Sequence, residues 1–111
     1  MTKKKRVYSP KTVEAFTLIG QLIKLNRKVK QMSESELADR IGVARATIQK
    51  IEKGMPQCEI GLVFEAATIV GVNLFHHDDD LIALYHQGIQ GKIALLPQRI
   101  HKIATELSDD F

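Results

Sequence analysis

The chain has a single cysteine, Cys58, and no tryptophan in 111 residues. One thiol cannot close an internal disulfide, which suits a reducing cytoplasm. Cys58 itself reads as a small residue near a helix start. Aromatics are scarce at 5%, while hydrophobic residues reach 44%, enough for a modest core in one domain. No apolar run approaches the roughly 20 residues of a membrane-spanning helix. The basic opening, MTKKKRVYSP, has none of the apolar stretch of a secretion signal. A Gly-rich phosphate loop, a Ser–His–acid pattern with context and a pair of tuned carboxylates are all missing, so neither an enzyme nor a cofactor is expected.

Metal ligation is not expected either. His76, His77, Asp78, Asp79 and Asp80 are metal-capable. Adjacent histidines, however, point in different directions on helix or strand, and no ligand pair follows at the usual spacing. The segment reads as a solvated linker whose acidic run favours a helix start. His86 and His101 read as surface or partly packed residues.

What is present is charge, unevenly spread. Residues 1–30 hold nine Lys or Arg against one Glu, a net +8, within an overall +3. Residues 31–72 come to −2 and residues 73–111 to −3. A polyanionic partner therefore suits the first part and not the last. Residues 1–8 read as a basic arm, either solvated or lying on phosphates or in a minor groove.

Ser9 and Pro10 open a first helix, as a cap followed by proline at the first helical position. Phe16, Ile19, Ile23 and Val29, with Leu22 between them, supply its apolar stripe. A fourth helix runs from about Glu59 to Val70, with Leu62, Val63, Ala66, Ala67 and Val70 inward and Gly71 as its stop. Residues 72–75 (VNLF) form a β-prone run. A fifth helix over Leu81, Leu84 and Tyr85 should stop at Gly88 and Gly91. Beyond Pro97 the chain is polar with sparse apolar residues and is expected to be mobile. The resulting division is an arm (1–8), a domain (9–88) and an extension (89–111).

Between the first and fourth helices lies the most informative stretch, residues 33–54, SESELADRIGVARATIQKIEKG. Ser33 and Glu36 have the spacing of a capping box. Leu37, Ala38 and Ile41 share one face, and Gly42 follows as a helix stop. The pattern then restarts with Ala44, Thr47, Ile48 and Ile51 inward, while Arg45, Ala46, Gln49 and Lys50 lie on the other side. Two helices joined by about four residues around a glycine make a helix-turn-helix, whose second helix enters the major groove. The outward residues have the chemistry for it, since Arg and Lys match guanine, Gln matches adenine, and an Ala methyl fits against thymine.

Residues from about Gly20 to Val72 resemble the lambda-repressor-like, or Cro/XRE-type, helix-turn-helix domains. The resemblance rests on MSESELADRIGV, ARATIQKIEKG and AATIVGV. It implies an all-α, five-helix domain. It also implies that Arg45, Ala46, Gln49 and Lys50 read bases. Ser33, Thr47, Arg40, Lys24, Lys28 and Lys53 are candidate phosphate contacts, though Lys24 and Lys28 equally suit plain solubility. Arg27 and Glu52 match a pair that clamps the first helix to the third. Where members of this family often carry Gln after the cap, this chain has Glu34, which either orients Arg45 or points to solvent.

The opening KKRVYSPKTVEA, the segments SESELA and RATIQKIEKG and the ending IALLPQRIHK are similar to HipB-like antitoxin repressors paired with HipA-type kinase toxins. That similarity adds one short C-terminal strand at a dimer interface of Val72, Leu74 and Phe75, the alternative for Leu74 and Phe75 being core beneath the fifth helix. It also implies a homodimeric repressor on a palindromic double-stranded DNA operator in the bacterial cytoplasm, and a HipA-like kinase as second partner. Leu95, Leu96, Ile100 and Phe111 would then anchor that partner or give intramolecular cover. A stand-alone phage-type regulator and a protein-interaction module with a vestigial DNA face remain the alternatives.

Overall fold

Helix boundaries in this chain fall where capping chemistry puts them. The computed structural model describes residues 6–74 and 79–99. The helices are α1 (Pro10–Val29), α2 (Glu34–Ile41), α3 (Arg45–Glu52), α4 (Ile60–Val70) and α5 (Asp79–Leu95). The chain divides into two units, residues 1–74 and 75–111. Among the described residues there is no strand.

In the first unit, α1 starts with Ser9 Oγ accepting from the Thr12 backbone N–H at 3.4 Å and with Pro10 at its first turn. Gly42 closes α2 and Gly71 closes α4, both in the left-handed conformation that side chains resist. The largest fully buried side chains come one from each of these four helices, Ile23, Leu37, Ile48 and Val70. Met32, Ala38, Ile51, Val63, Ala66 and Ala67 complete the core. Asn26 Nδ2 donates to the Val70 carbonyl at 3.3 Å, pairing one of the carbonyls that α4 leaves open at its end.

Two glycines bring α1 and α3 into backbone contact. A Cβ on Gly20 would lie 2.6 Å from the Ile51 carbonyl oxygen and 2.7 Å from that of Glu52. Gly54, at φ +73°, meets α1 one turn earlier, where a Cβ would stand 2.6 Å from the Thr17 Cα. Only glycine permits both approaches.

Several expectations need correction. Val29 is 73% exposed and Leu22 36% exposed, so they do not extend the inner stripe of α1. The inward row runs through Ile23 to Arg27, which is buried in their stead. Leu18, Leu22, Leu25 and Val29 instead form a separate, outward apolar row. Ala44 is exposed because it is the extended residue that precedes α3, not part of its first turn. Val72 and Leu74 form no strand; they are half-buried against the core, and a lone strand would have no neighbour to pair with.

In the second unit, α5 continues through Gly88 and Gly91 to Leu95, past the expected stops. An interior glycine costs about 1 kcal/mol relative to alanine but keeps its N–H, so it weakens a helix without ending it. The helix exposes Leu81, Ile82, Leu84, Tyr85, Ile89 and Ile93. Leu95 and Leu96 are exposed as well. Residues 1–5 of the basic arm, Phe75, His76, His77, Asp78, Ile100, His101 and Phe111 lie outside the described residues. Among the described residues no helix is long and apolar enough to cross a membrane, and no group of three metal-ligating side chains occurs.

Candidate nucleic-acid interface

The start of α2 is fixed by a reciprocal pair of bonds. The Glu36 N–H donates to Ser33 Oγ at 3.0 Å, and the Ser33 N–H donates to Glu36 Oε1 at 3.1 Å. This satisfies two of the backbone donors that a helix N-terminus leaves open. The residues at this helix start, Ser33, Glu34 and Ser35, line a groove together with Lys24, Arg27, Lys28 and Arg45, at the positive end of the helix dipole. Cations and free backbone donors at a helix start are the chemistry that holds a phosphate.

Two of those cations are already paired, Arg45 with Glu34 and, more completely, Arg27 with Glu52. Arg27 Nε donates to Glu52 Oε2 at 2.6 Å and Nη2 to Glu52 Oε1 at 3.0 Å, while Nη1 donates to the Met32 carbonyl at 2.8 Å. Both residues of this forked pair are buried. The Glu52 hydrogen bond holds the Arg27 guanidinium above its ordinary pKa, against the opposing effect of burial. Arg27 thus joins α1 to the last turn of α3 and to the loop before α2. The exposed Lys24 and Lys28 are left to give the groove its positive rim.

Helix α3 presents its polar side outward from this frame. Ile48 and Ile51 are buried, whereas Arg45, Ala46 and Lys50 are exposed. Gln49 and Thr47 are half-buried. Arg45 and Gln49 stand one turn apart and converge on one carboxylate: Glu34 Oε1 accepts from Arg45 Nε at 3.1 Å and from Gln49 Nε2 at 3.4 Å. Of its two alternatives, Glu34 takes the one that orients Arg45. The Arg45 hydrogen bond is the main cause holding the Glu34 carboxyl below its ordinary pKa, with Gln49 adding to it.

Of the candidate phosphate contacts, Ser33, Lys24 and Lys28 come together at the groove. Arg40, Thr47 and Lys53 do not line it: Arg40 is in the last turn of α2, Thr47 in α3, and Lys53 follows α3. The sequence does not disclose the contact of Gln49 with Glu34. A signal is present, since Glu34 stands directly after the cap, but its distance from Gln49 depends on how α2 packs on α3. Cys58 is half-buried, and desolvation pushes its thiol pKa up, which disfavours a reactive thiolate.

A helix-turn-helix family model matches residues 23–74, from the middle of α1 to the end of the first unit. Over 61 residues the chain is 34% identical to an uncharacterised HTH-type transcriptional regulator of Methanocaldococcus jannaschii, a match covering 52% of this chain and 92% of that protein. A solved structure titled MDT Protein superposes with a TM-score of 0.49 at 25% identity, covering 68% of this chain and 99% of that one. With α2 and α3 as its two-helix unit, the chain belongs to the helix-turn-helix family.

Proposed function

We propose that this protein is a sequence-specific DNA-binding transcriptional repressor. The observation that carries the reading is the outward row of Arg45, Ala46 and Lys50, with Gln49 beside it, next to a capped helix N-terminus rimmed by Lys24 and Lys28. The first set would read base edges in the major groove while the second holds phosphate and fixes register. The same family and the HTH-type regulator of M. jannaschii support this direction.

The working unit in this proposal is a homodimer in the bacterial cytoplasm. Val72, Leu74 and Phe75 are its interface candidates. The exposed apolar residues of α5 add support, because a contiguous apolar surface is usually covered by another protein. Two recognition helices related by a two-fold would lie about 34 Å apart, so the operator would be palindromic. The test is selection of bound duplexes from a random library, followed by a footprint. Arg45→Ala should then cost about 1–3 kcal/mol on the selected site and relax preference at one base position. Equal binding of parent and variant to selected and scrambled duplexes would remove Arg45 from the reading set.

The finer reading is an antitoxin that represses its own operon and neutralises a HipA-like kinase. Its support is the resemblance of the two terminal segments, together with SESELA and RATIQKIEKG, to the HipB-like repressors. Co-purification with the product of the neighbouring gene tests it. A kinase-like neighbour that fails to co-purify returns the protein to the stand-alone regulators.

A further inference from the structure

Glu34 is a carboxylate placed where a phosphate-binding helix start would favour a neutral or positive group. As the first residue of α2, it sits at the positive end of the helix dipole, in the groove rimmed by Lys24 and Lys28. Its side chain is 23% exposed, against 62% for that of Arg45. A single oxygen, Oε1, accepts from both Arg45 Nε and Gln49 Nε2. One acidic side chain therefore spans two successive turns of the outward face of α3.

We propose that Glu34 is a positioning residue for base readout, holding Arg45 and Gln49 in one arrangement before DNA arrives and thereby raising sequence discrimination at the expense of general affinity. This rests on the DNA-reading function proposed above. Two physical effects act in the same direction. The first is preorganisation. Arginine has five N–H donors, and the contact with Glu34 uses Nε, leaving the Nη1–Nη2 edge for guanine O6 and N7. The bond from Gln49 Nε2 likewise fixes which end of that amide is nitrogen, so its carbonyl is aimed elsewhere. Two long side chains ordered in the free protein lose less freedom on binding the matching bases, and a mismatched site gains nothing from that order.

The second effect is charge. A carboxylate at the α2 N-terminus offsets part of the attraction that Lys24 and Lys28 exert on any phosphate, whatever the sequence. Non-specific binding is mostly that attraction, so Glu34 weakens it more than it weakens the matched complex. The hydrogen bond from Arg45 keeps the carboxyl below its ordinary pKa, so it is ionised at neutral pH.

The test compares the full-length parent with Glu34→Asp and Glu34→Gln, each checked for folding by far-UV circular dichroism. The probes are a duplex that the parent selects from a random library and a scrambled duplex of the same composition. Glu34→Asp keeps the charge but shortens the reach by one methylene. It should leave the dependence of log K on log salt as in the parent, yet lower the selected-to-scrambled affinity ratio at least fivefold. Glu34→Gln should tighten binding to scrambled DNA and steepen the salt dependence. In the DNA-free proteins, the Arg45 Nε–H resonance should be sharp in the parent and broadened by exchange in Glu34→Asp. An affinity ratio in Glu34→Asp within fivefold of the parent overturns the proposal, even where Glu34→Gln binds scrambled DNA more tightly. A parent that selects no sequence from the library refutes the DNA-reading function itself, which separates that failure from the failure of Glu34 as a positioning residue.

Discussion

Replacing Arg27 with alanine tests the join between α1 and α3 more severely than any other single change. The substitution removes three hydrogen bonds at once, two to Glu52 and one to the Met32 carbonyl. It leaves the Glu52 carboxylate in a site only 7% exposed with no cation beside it. Breaking one side of a buried pair costs about 3–5 kcal/mol, mostly because the survivor is a stranded charge. The orphaned carbonyl contributes about 1–3 kcal/mol, and the two costs overlap because both relax as water enters. A loss of roughly 4–6 kcal/mol follows, against a total of about 5–15 kcal/mol for a typical domain.

Urea unfolding followed by far-UV circular dichroism, without DNA, measures it. The control is the double change Arg27→Met with Glu52→Leu, which removes both charges and refills the space. It should unfold within about 3 kcal/mol of the parent, since an apolar pair of similar volume often replaces a buried ion pair at little cost. An Arg27→Ala protein that loses less than about 1 kcal/mol would refute the reasoning, because a pair so easily dispensed with behaves like an exposed one.

Two further outcomes are expected. Gly20→Ala should destabilise the first unit by about 1–3 kcal/mol in a thermal melt, despite alanine's better helix propensity, because its methyl would press on the carbonyls of Ile51 and Glu52. A neutral or stabilised variant would mean that α1 and α3 separate freely. The Glu34 carboxyl has a folded-state pKa below its ordinary value, so its stabilising contribution is present above the ordinary carboxylate range and is lost as pH falls through the lowered value. The difference in melting temperature between the parent and Glu34→Gln should therefore shrink on acidification, and a gap that widened would reverse the assignment.

How much of the fold and the interface is legible in the residues depends on how local each feature is. The capping box of Ser33 and Glu36, the stop at Gly42 and the opening at Ser9–Pro10 involve neighbours within one turn, and each stands where spacing puts it. The five helices likewise follow from periodicity and punctuation. Val29 departs from the expected stripe because an apolar residue on α1 does not say which of two apolar rows faces the core; that choice is made by Arg27, which reaches across to Glu52. Gly88 and Gly91 do not stop α5, and a glycine's signal is the same whether a helix ends there or merely weakens. At the interface, residue type and face point to Arg45 and Lys50. The bond between Glu34 and Gln49 needs the packing of α2 on α3, which spacing along the chain does not encode.

The contacts at Gly20 and Gly54 bear on how such a protein changes its target. They press main chain against main chain, so the direction in which α3 points is set by atoms that every residue shares. Ala46 and Lys50 are exposed and take no part in that main-chain contact, and the exposed Arg45 meets its neighbour helix only through the Glu34 side chain. Aim and vocabulary are thus stored in different parts of the molecule. If residues 45, 46 and 50 read bases as proposed, new side chains there would rewrite the DNA sequence that is sought while the helix still arrives at the same angle. A change at Gly20 or Gly54 would spoil the arrival for every sequence at once.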